Sequence, residues 1–235
     1  MRLALKGGEC QRSGSGDHAA TRTTTAYPEP VDLGWALVLP AYLLGTYPTA
    51  ILVGRRAGRD PTQEGSGNPG ASNTYRTMGR RAGALVLLGD LCKGAVSSGA
   101  GLATGNRAIG VACGLAAVLG HVAPATRRFR GGKGVATGAG MAMVLLPAPA
   151  VGLAALWVAA AKVSGTASAA SLAVAAGLPI AALAAGRPAG EVVAFAACGG
   201  LVVLRHRGNI GRLRRGDEPV LSSEPEPGDR YGGHP

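Results

Sequence analysis

Three polar segments interrupt an otherwise apolar chain, and each carries groups suited to holding a phosphate. The first runs Gly65-Ser66-Gly67-Asn68-Pro69-Gly70-Ala71-Ser72-Asn73, with Arg76 following at the start of a helix-forming run. Such a cluster can be an ordinary turn. Yet glycines let backbone N–H groups approach an anion closely, hydroxyl and amide side chains can complete the nest, and a nearby helix start adds favourable dipole charge. The second is Gly120-His121 followed by Arg127-Arg128-Phe129-Arg130-Gly131-Gly132-Lys133-Gly134-Val135-Ala136-Thr137. It fails as a P-loop, because Gly134 stands where Ser or Thr must follow the lysine. What survives is a glycine-rich helix start with Lys133 among its first exposed groups. His121 alone reads more readily as a structural hydrogen-bonder than as a catalyst. The third is Arg205-His206-Arg207-Gly208-Asn209-Ile210, then Arg212 and Leu213. It can be a basic helix cap, but on a continuing helix His206 and Asn209 share a face and can hydrogen-bond one polar substrate.

Asp90 and Lys93 form a further pair, one helical turn apart inside an apolar run. They could simply neutralise each other. Ionisable groups inside membrane spans are costly, however, and usually line a site or cavity, which favours a functional reading. The chain has no GxSxG nucleophile elbow, no HExxH zinc motif and no HxxxxD acyltransferase pair. Cys10, Cys92, Cys113 and Cys198 make no CxxC pair, which argues against a zinc site or a disulfide framework. Cys92, Cys113 and Cys198 lie in apolar stretches and read as small buried side chains.

The elements that must position these groups are membrane helices. Of the 235 residues, 47% are hydrophobic and only 16% charged, well below the usual charged share of a soluble domain. The net charge of +11 comes from basic residues gathered at the ends of apolar runs, as on the cytoplasmic side of a membrane protein. With two Phe, two Trp and five Tyr, a base-stacking surface is not expected, so nucleic acid is not the partner. The apolar runs predict an all-α polytopic integral membrane protein of about seven spans, near 33–53, 82–102, 108–125, 135–147, 148–161, 168–186 and 189–204. The positive-inside rule puts the loops carrying Arg55 to Arg81, Arg127 to Lys133 and Arg205 to Arg215 in the cytoplasm, with the N-terminus outside. Residues 1–30 lack the apolar core of a signal peptide and read as a disordered extension. The domain then covers 31–215, and 216–235 reads as a disordered tail. A monomer is compatible with the pattern.

These segments, in this order, resemble the acyl-phosphate-dependent glycerol-3-phosphate acyltransferase family (PlsY) of bacterial membranes. The resemblance runs from about Leu33 to Leu213. It is carried by Tyr42-Leu43-Leu44-Gly45-Thr46, Gly65 through Asn73 with Arg76, Asp90 with Lys93-Gly94, Gly120-His121 with Pro124, Phe129 through Thr137, and His206 through Leu213. It implies a seven-helix fold in the bacterial plasma membrane with its motifs on the cytoplasmic side. The implied reaction moves a fatty acyl group from acyl phosphate to the 1-hydroxyl of glycerol 3-phosphate, giving lysophosphatidic acid and phosphate for phospholipid synthesis. No metal or tightly bound cofactor is implied. Partners would be the two substrates and membrane lipids.

By the family pattern, Ser66, Arg76 and Lys133 would hold the acyl-phosphate phosphate, helped by N–H groups of the Gly65–Gly70 loop. His206 and Asn209 would bind and orient glycerol 3-phosphate, with Ser168 nearby. Gly65, Gly67, Asn68, Gly70, Ser72, Asn73, Asp90, Lys93, Gly131 and Gly132 complete the expected substrate-binding set. The chain departs from the pattern at Thr46 (usually Ser), Ser72 (usually Thr) and Ala123 (usually a bulky apolar residue), and around Ala167, where a Tyr-Ser-Ser-like element is degraded. Rival readings of the same residues are a small-anion transporter and a scaffold that holds anionic lipid on its basic loops.

Overall fold

The computed structural model describes residues 33–221, and these contain helices and connections but no strand. The expected extension 1–30 with Cys10, and the part of the tail from 222 onward, lie outside the described residues. A short 3₁₀ segment, Leu33–Leu37, leads into α1 (Val38–Gly45) and, after a break at Tyr47-Pro48, α2 (Thr49–Arg56). Then come α3 (Ala71–Met78), α4 (Arg80–Leu102), α5 (Arg107–Val122), α6 (Val135–Leu145), α7 (Pro147–Ser164), α8 (Ala167–Ala184), α9 (Ala189–Arg205) and α10 (Arg207–Arg215).

The apolar runs predicted from the sequence become helices, but not all of them are full spans. Five segments are long and apolar enough to cross a membrane: Leu33–Arg56, Arg80–Leu102, Arg107–Arg127, Pro147–Ser164 and Ala167–Ala184. A sixth exists if α9 and α10, bent by 57° at His206, count as one. Helix α6 has 11 residues, a rise of about 16 Å where the hydrocarbon core needs about 30 Å. Of the expected seven, five or six qualify as spans by length and composition, and the expected short 135–147 segment is an 11-residue apolar helix. The reason is local: Leu146-Pro147 ends α6 early, because proline suits the first turn of the next helix and not the interior of the preceding one.

Helices α4, α5 and α6 form one packed group with α1, and α7, α8 and α9 form the other side of the bundle. Lipid tails supply no hydrophobic drive between helices, so close backbone approach matters more than in water. A methyl group on Gly94 would land on the Thr137 carbonyl, and one on Gly140 would land on the Leu91 carbonyl. Bare glycines on both helices thus set how near α4 and α6 come. The outward faces carry Leu85, Leu88, Val151, Val163, Ile180, Leu183 and Val193, all exposed, as a lipid-facing surface requires. Cys113 and Cys198 are buried as expected. Cys92 is exposed instead, because it follows Leu85 and Leu88 along the outward stripe of α4.

One end of the bundle is tied by an ion pair. Arg107, at the start of α5, meets Glu191 near the start of α9 at 2.7 Å and also donates to the Leu145 carbonyl at the end of α6, 2.6 Å away. The second and third polar segments lie at the other ends of these helices. Gly94→Val should separate α4 from α6 at a cost of about 1–3 kcal/mol or more. Gly152→Ala, where an added methyl meets nothing, should be neutral. Thermal unfolding in mild detergent checks this, and equal melting temperatures for both variants would refute the packing argument.

Candidate active site

A cavity of about 480 Å³ opens where the three polar segments meet. Its lining includes Ser66, Asn68, Gly70, Ser72, Asn73 and Arg76 from the first, Lys133 from the second, and His206 and Asn209 from the third. Asp90 of α4 and Ser168 of α8 join them, while Leu87, Leu91, Met143, Leu153, Trp157 and Leu178 supply apolar wall. One end of the cavity is thus cationic and hydrogen-bonding, and the rest suits hydrocarbon.

The first segment is held by Asn73. This buried amide accepts from the Ser66 backbone N–H (2.9 Å) and hydroxyl (3.1 Å), and donates to the carbonyls of Pro61 (2.9 Å) and Glu64 (3.0 Å). Arg59 adds a two-point pair with Glu64 and a bond to the Thr77 carbonyl, closing the loop onto α3. Gly65 and Gly67 adopt left-handed φ values of 57° and 67°, which glycine tolerates without strain, and neither lines the cavity. The expected nest of loop N–H groups needs correction. Those of Ser66, Gly67 and Gly70 are already bonded to Asn73, Glu64 and Asn68. The first-turn N–H groups of α3 at Ala71, Ser72 and Asn73 have no intrahelical acceptor, and these residues line the cavity. Asn73 itself spends its amide on the loop, so its side chain positions Ser66.

The second segment is shaped by contact with His121. Gly132 N–H donates to the His121 carbonyl at 3.1 Å, and a methyl on Gly131 or Gly132 would strike that carbonyl or the imidazole ring. Arg205, at the end of α9, donates to the carbonyls of Gly131 and Gly132 at 3.0 and 3.2 Å. These glycines therefore serve packing, and neither faces the main cavity. Lys133 does, and its Nζ donates to Asn209 Oδ1 at 2.6 Å. Burial pushes the Lys133 ammonium down to about 8, a fall that Glu218 opposes and that Arg212, Arg76 and Arg205 reinforce. Burial likewise lowers Arg76 from its ordinary value.

Asp90 and Lys93 are both buried and paired at 2.7 Å, and Lys93 also donates to the Tyr47 carbonyl at 2.7 Å. His121 Nδ1 lies 3.6 Å from Asp90 Oδ1. Lys93 borders only a small crevice beside Thr46, His121 and Gly132, whereas Asp90 and His121 border both spaces. Lys93 thus ties α4 to the α1–α2 break and stands outside the main cavity. On the third segment, His206 Nδ1 lies 2.8 Å from the Val202 carbonyl. If that nitrogen carries the proton, as a carbonyl partner requires, Nε2 of the neutral ring is an acceptor. The buried Ser168 side chain faces the Glu218 carboxylate.

Sequence reasoning missed Glu218. Gly216–Leu221, read as the start of a disordered tail, folds back instead. Gly216 takes a left-handed turn (φ 77°), Asp217 N–H donates to the Arg212 carbonyl (2.9 Å), and Glu218 reaches the cavity. The available signal was a pair of acids directly after an arginine-rich helix end.

A family model described as glycerol-3-phosphate acyltransferase matches residues 35–216. The glycerol-3-phosphate acyltransferase of Thioalkalivibrio sulfidiphilus is 45% identical over 197 residues, 82% of this chain and 96% of that protein. The one from Rubrobacter xylanophilus is 45% identical over 184 residues, 77% and 92% of the two chains. A crystal structure of PlsY, an integral membrane glycerol 3-phosphate acyltransferase, in its glycerol 3-phosphate form has a TM-score of 0.77 at 33% identity, covering 80% of this chain and 96% of that one. The lysophosphatidic acid form gives 0.75 at 33%, with 81% and 96% covered.

Asn73→Ala should leave the buried Pro61 and Glu64 carbonyls and the Ser66 N–H unpaired, costing roughly 2 kcal/mol or more. The melting temperature should fall by about 5 °C, with faster proteolysis between Pro61 and Gly70. An unchanged melting temperature and digestion pattern would show that the amide does not organise the loop.

Proposed function

This chain belongs to the glycerol-3-phosphate acyltransferase family, and from that premise we propose that its acyl donor is acyl phosphate and that Ser66, Arg76, Lys133 and His206 carry the reaction. The observation that carries the reading is the convergence of Ser66, Arg76, Lys133, His206 and Asn209, drawn from three distant segments, on one cavity with a long apolar wall. A phosphate at the cationic end would meet Arg76, Lys133, the Ser66 hydroxyl and the first turn of α3. An acyl chain would lie along Leu87, Leu153, Trp157 and Leu178. Glycerol 3-phosphate would be oriented by His206 Nε2, Asn209 and Ser168.

Acyl phosphate is already activated, so no acyl-enzyme is required. The 1-hydroxyl oxygen attacks the acyl carbon, the bond from that carbon to the phosphate oxygen breaks, and phosphate leaves with the electron pair. The hydroxyl proton passes to a substrate phosphate oxygen. Holding both substrates in reacting geometry, and meeting the growing negative charge with Arg76 and Lys133 in a water-poor site, accounts for the rate. Ser66 is not placed as a nucleophile, because its hydroxyl already faces the Asn73 amide oxygen, which is not a useful base. The enzyme would sit in the bacterial plasma membrane with this site on the cytoplasmic side, where the positive-inside rule puts Arg55, Arg56, Arg80, Arg81, Arg128 and Arg130.

Purified protein in detergent, given acyl phosphate and glycerol 3-phosphate, should release phosphate and form lysophosphatidic acid, and acyl-CoA should not replace the donor. Transfer from acyl-CoA at a comparable rate would overturn the donor assignment. Lys133→Ala and Arg76→Ala should each lose about 10²-fold or more in rate. Near-normal turnover in either folded variant would remove that residue from the mechanism. His206→Ala should raise KM for glycerol 3-phosphate more than KM for acyl phosphate. Lys133 carries its charge below about 8 and loses it as pH rises past that value, so kcat/KM should decline on the alkaline side from there. A flat profile through that range would exclude Lys133 as the essential cation.

A further inference from the structure

We propose that Glu218 is a positioning residue of this site: its carboxylate fixes which way the Asn209 amide points and supplies the counter-charge for Lys133. The inference rests on the functional reading above only for the consequence in turnover. The geometry stands without it. Asn209 Nδ2 donates to Glu218 Oε1 at 2.5 Å, while Asn209 Oδ1 accepts from Lys133 Nζ at 2.6 Å. An amide has two nearly isosteric ends. Reversed, it would aim its NH₂ at an ammonium and its oxygen at a carboxylate. The two charges on either side therefore leave one orientation, and removing the carboxylate removes half of that choice.

The carboxylate is itself held. Its other oxygen accepts from Arg212 Nε at 2.8 Å, and its side chain is 6% exposed. Burial would raise the Glu218 carboxyl, but hydrogen bonding from Asn209, Ser168 and Arg212, together with the Arg212 charge, outweighs it and holds the group below the usual carboxylate range. The following residues pin the segment to a second helix: Leu221 N–H donates to the Gly165 carbonyl at 2.7 Å, immediately before the Thr166 cap of α8. Glu218 thus links α10, the Lys133 turn and the start of α8, which between them carry Asn209, Lys133 and Ser168.

A carboxylate beside a phosphate site could instead be a competitor for the anion. The charges favour the positioning role. The groups facing Lys133 are Arg76 from α3, Arg205 from α9, Arg212 from α10, the His206 ring and Glu218. With Lys133 that makes four full cations against one carboxylate, so the site stays positive with Glu218 in place. Without Glu218, Lys133 would face only like charges, which favours its neutral form.

The test measures the protonation of Lys133 directly, so it does not depend on the reaction. Amine labelling of Lys133 in the detergent-solubilised full chain, read by peptide mass spectrometry across the neutral-to-alkaline range, should give a midpoint at about 8 in the parent. In Glu218→Gln, which keeps the volume but turns one acceptor oxygen into an NH₂ donor, the midpoint should drop by about one pH unit. Glu218→Asp should stay near the parent. A Glu218→Gln midpoint equal to the parent's would overturn the proposal, and a fold control by gel filtration accompanies each variant. In turnover, the alkaline limb of kcat/KM for glycerol 3-phosphate should move down with the labelling midpoint. A lower KM in Glu218→Gln would show that the carboxylate competes with the substrate phosphate, and would also overturn the proposal. If the parent turns over no acyl phosphate, the donor assignment fails while the labelling titration still decides the role of Glu218.

Discussion

The 2.6 Å hydrogen bond from Lys133 to Asn209 joins residues 76 apart in the chain and sets the terms for the whole site. Lys133 stands on the turn before α6, and Asn209 on the short helix that leaves α9 at 57°. Their meeting requires that α9 end where it does, that the chain bend at His206, and that the turn before α6 press against His121. Each requirement is met by a polar contact of the backbone: Arg205 on the Gly131 and Gly132 carbonyls, His206 on the Val202 carbonyl, and Gly132 N–H on the His121 carbonyl. Charged groups in a low-dielectric setting persist only when paired and hydrogen-bonded. The same pairing that makes them tolerable here places them around one cavity.

A second buried polar layer lies beneath. Asp90, Lys93 and His121 connect α4 to α5 and, through the Tyr47 carbonyl, to the break between α1 and α2. That break is where the first apolar segment loses helical hydrogen bonds at Tyr47-Pro48, and Lys93 meets one of the carbonyls exposed there. The layer borders the cavity through Asp90 and His121 while Lys93 is spent on structure. Its contribution is to fix the helices on which the cavity-facing residues stand.

Much of this was legible in the sequence because membrane proteins separate their chemistry from their packing. Long apolar runs set off Ser66, Arg76, Lys133, His206 and Asn209 as exceptions, and those exceptions do line one cavity. What could not be read was how each polar group spends its hydrogen bonds. Asn73 reads as a ligand until its amide is found closed on Pro61, Glu64 and Ser66. Gly131 and Gly132 read as substrate-binding until the His121 ring and carbonyl are found against them. The short α6 was nearly legible: the expected span 135–147 runs only two residues past Leu145, where the hydropathy continues to Leu146-Pro147 but the helix does not. Glu218 was lost because an acidic, proline-containing ending resembles a solvated tail, and only tertiary contact with Arg212 and Asn209 distinguishes it.

Helix α6 joins the Lys133 turn to the Leu145 carbonyl capped by Arg107, so one 11-residue helix separates two charged layers. That is about 16 Å of rise, roughly half of the hydrocarbon slab. The two layers cannot both rest comfortably among lipid headgroups. Either the bilayer pinches around the protein or one layer sits below the water line, with a hydrated funnel reaching down to it. A host membrane of greater thickness would then load the α6 end of the bundle with mismatch strain, at fractions of a kcal/mol for each ångström. Lipid composition would thereby act on the very helix that begins two residues after the site's lysine.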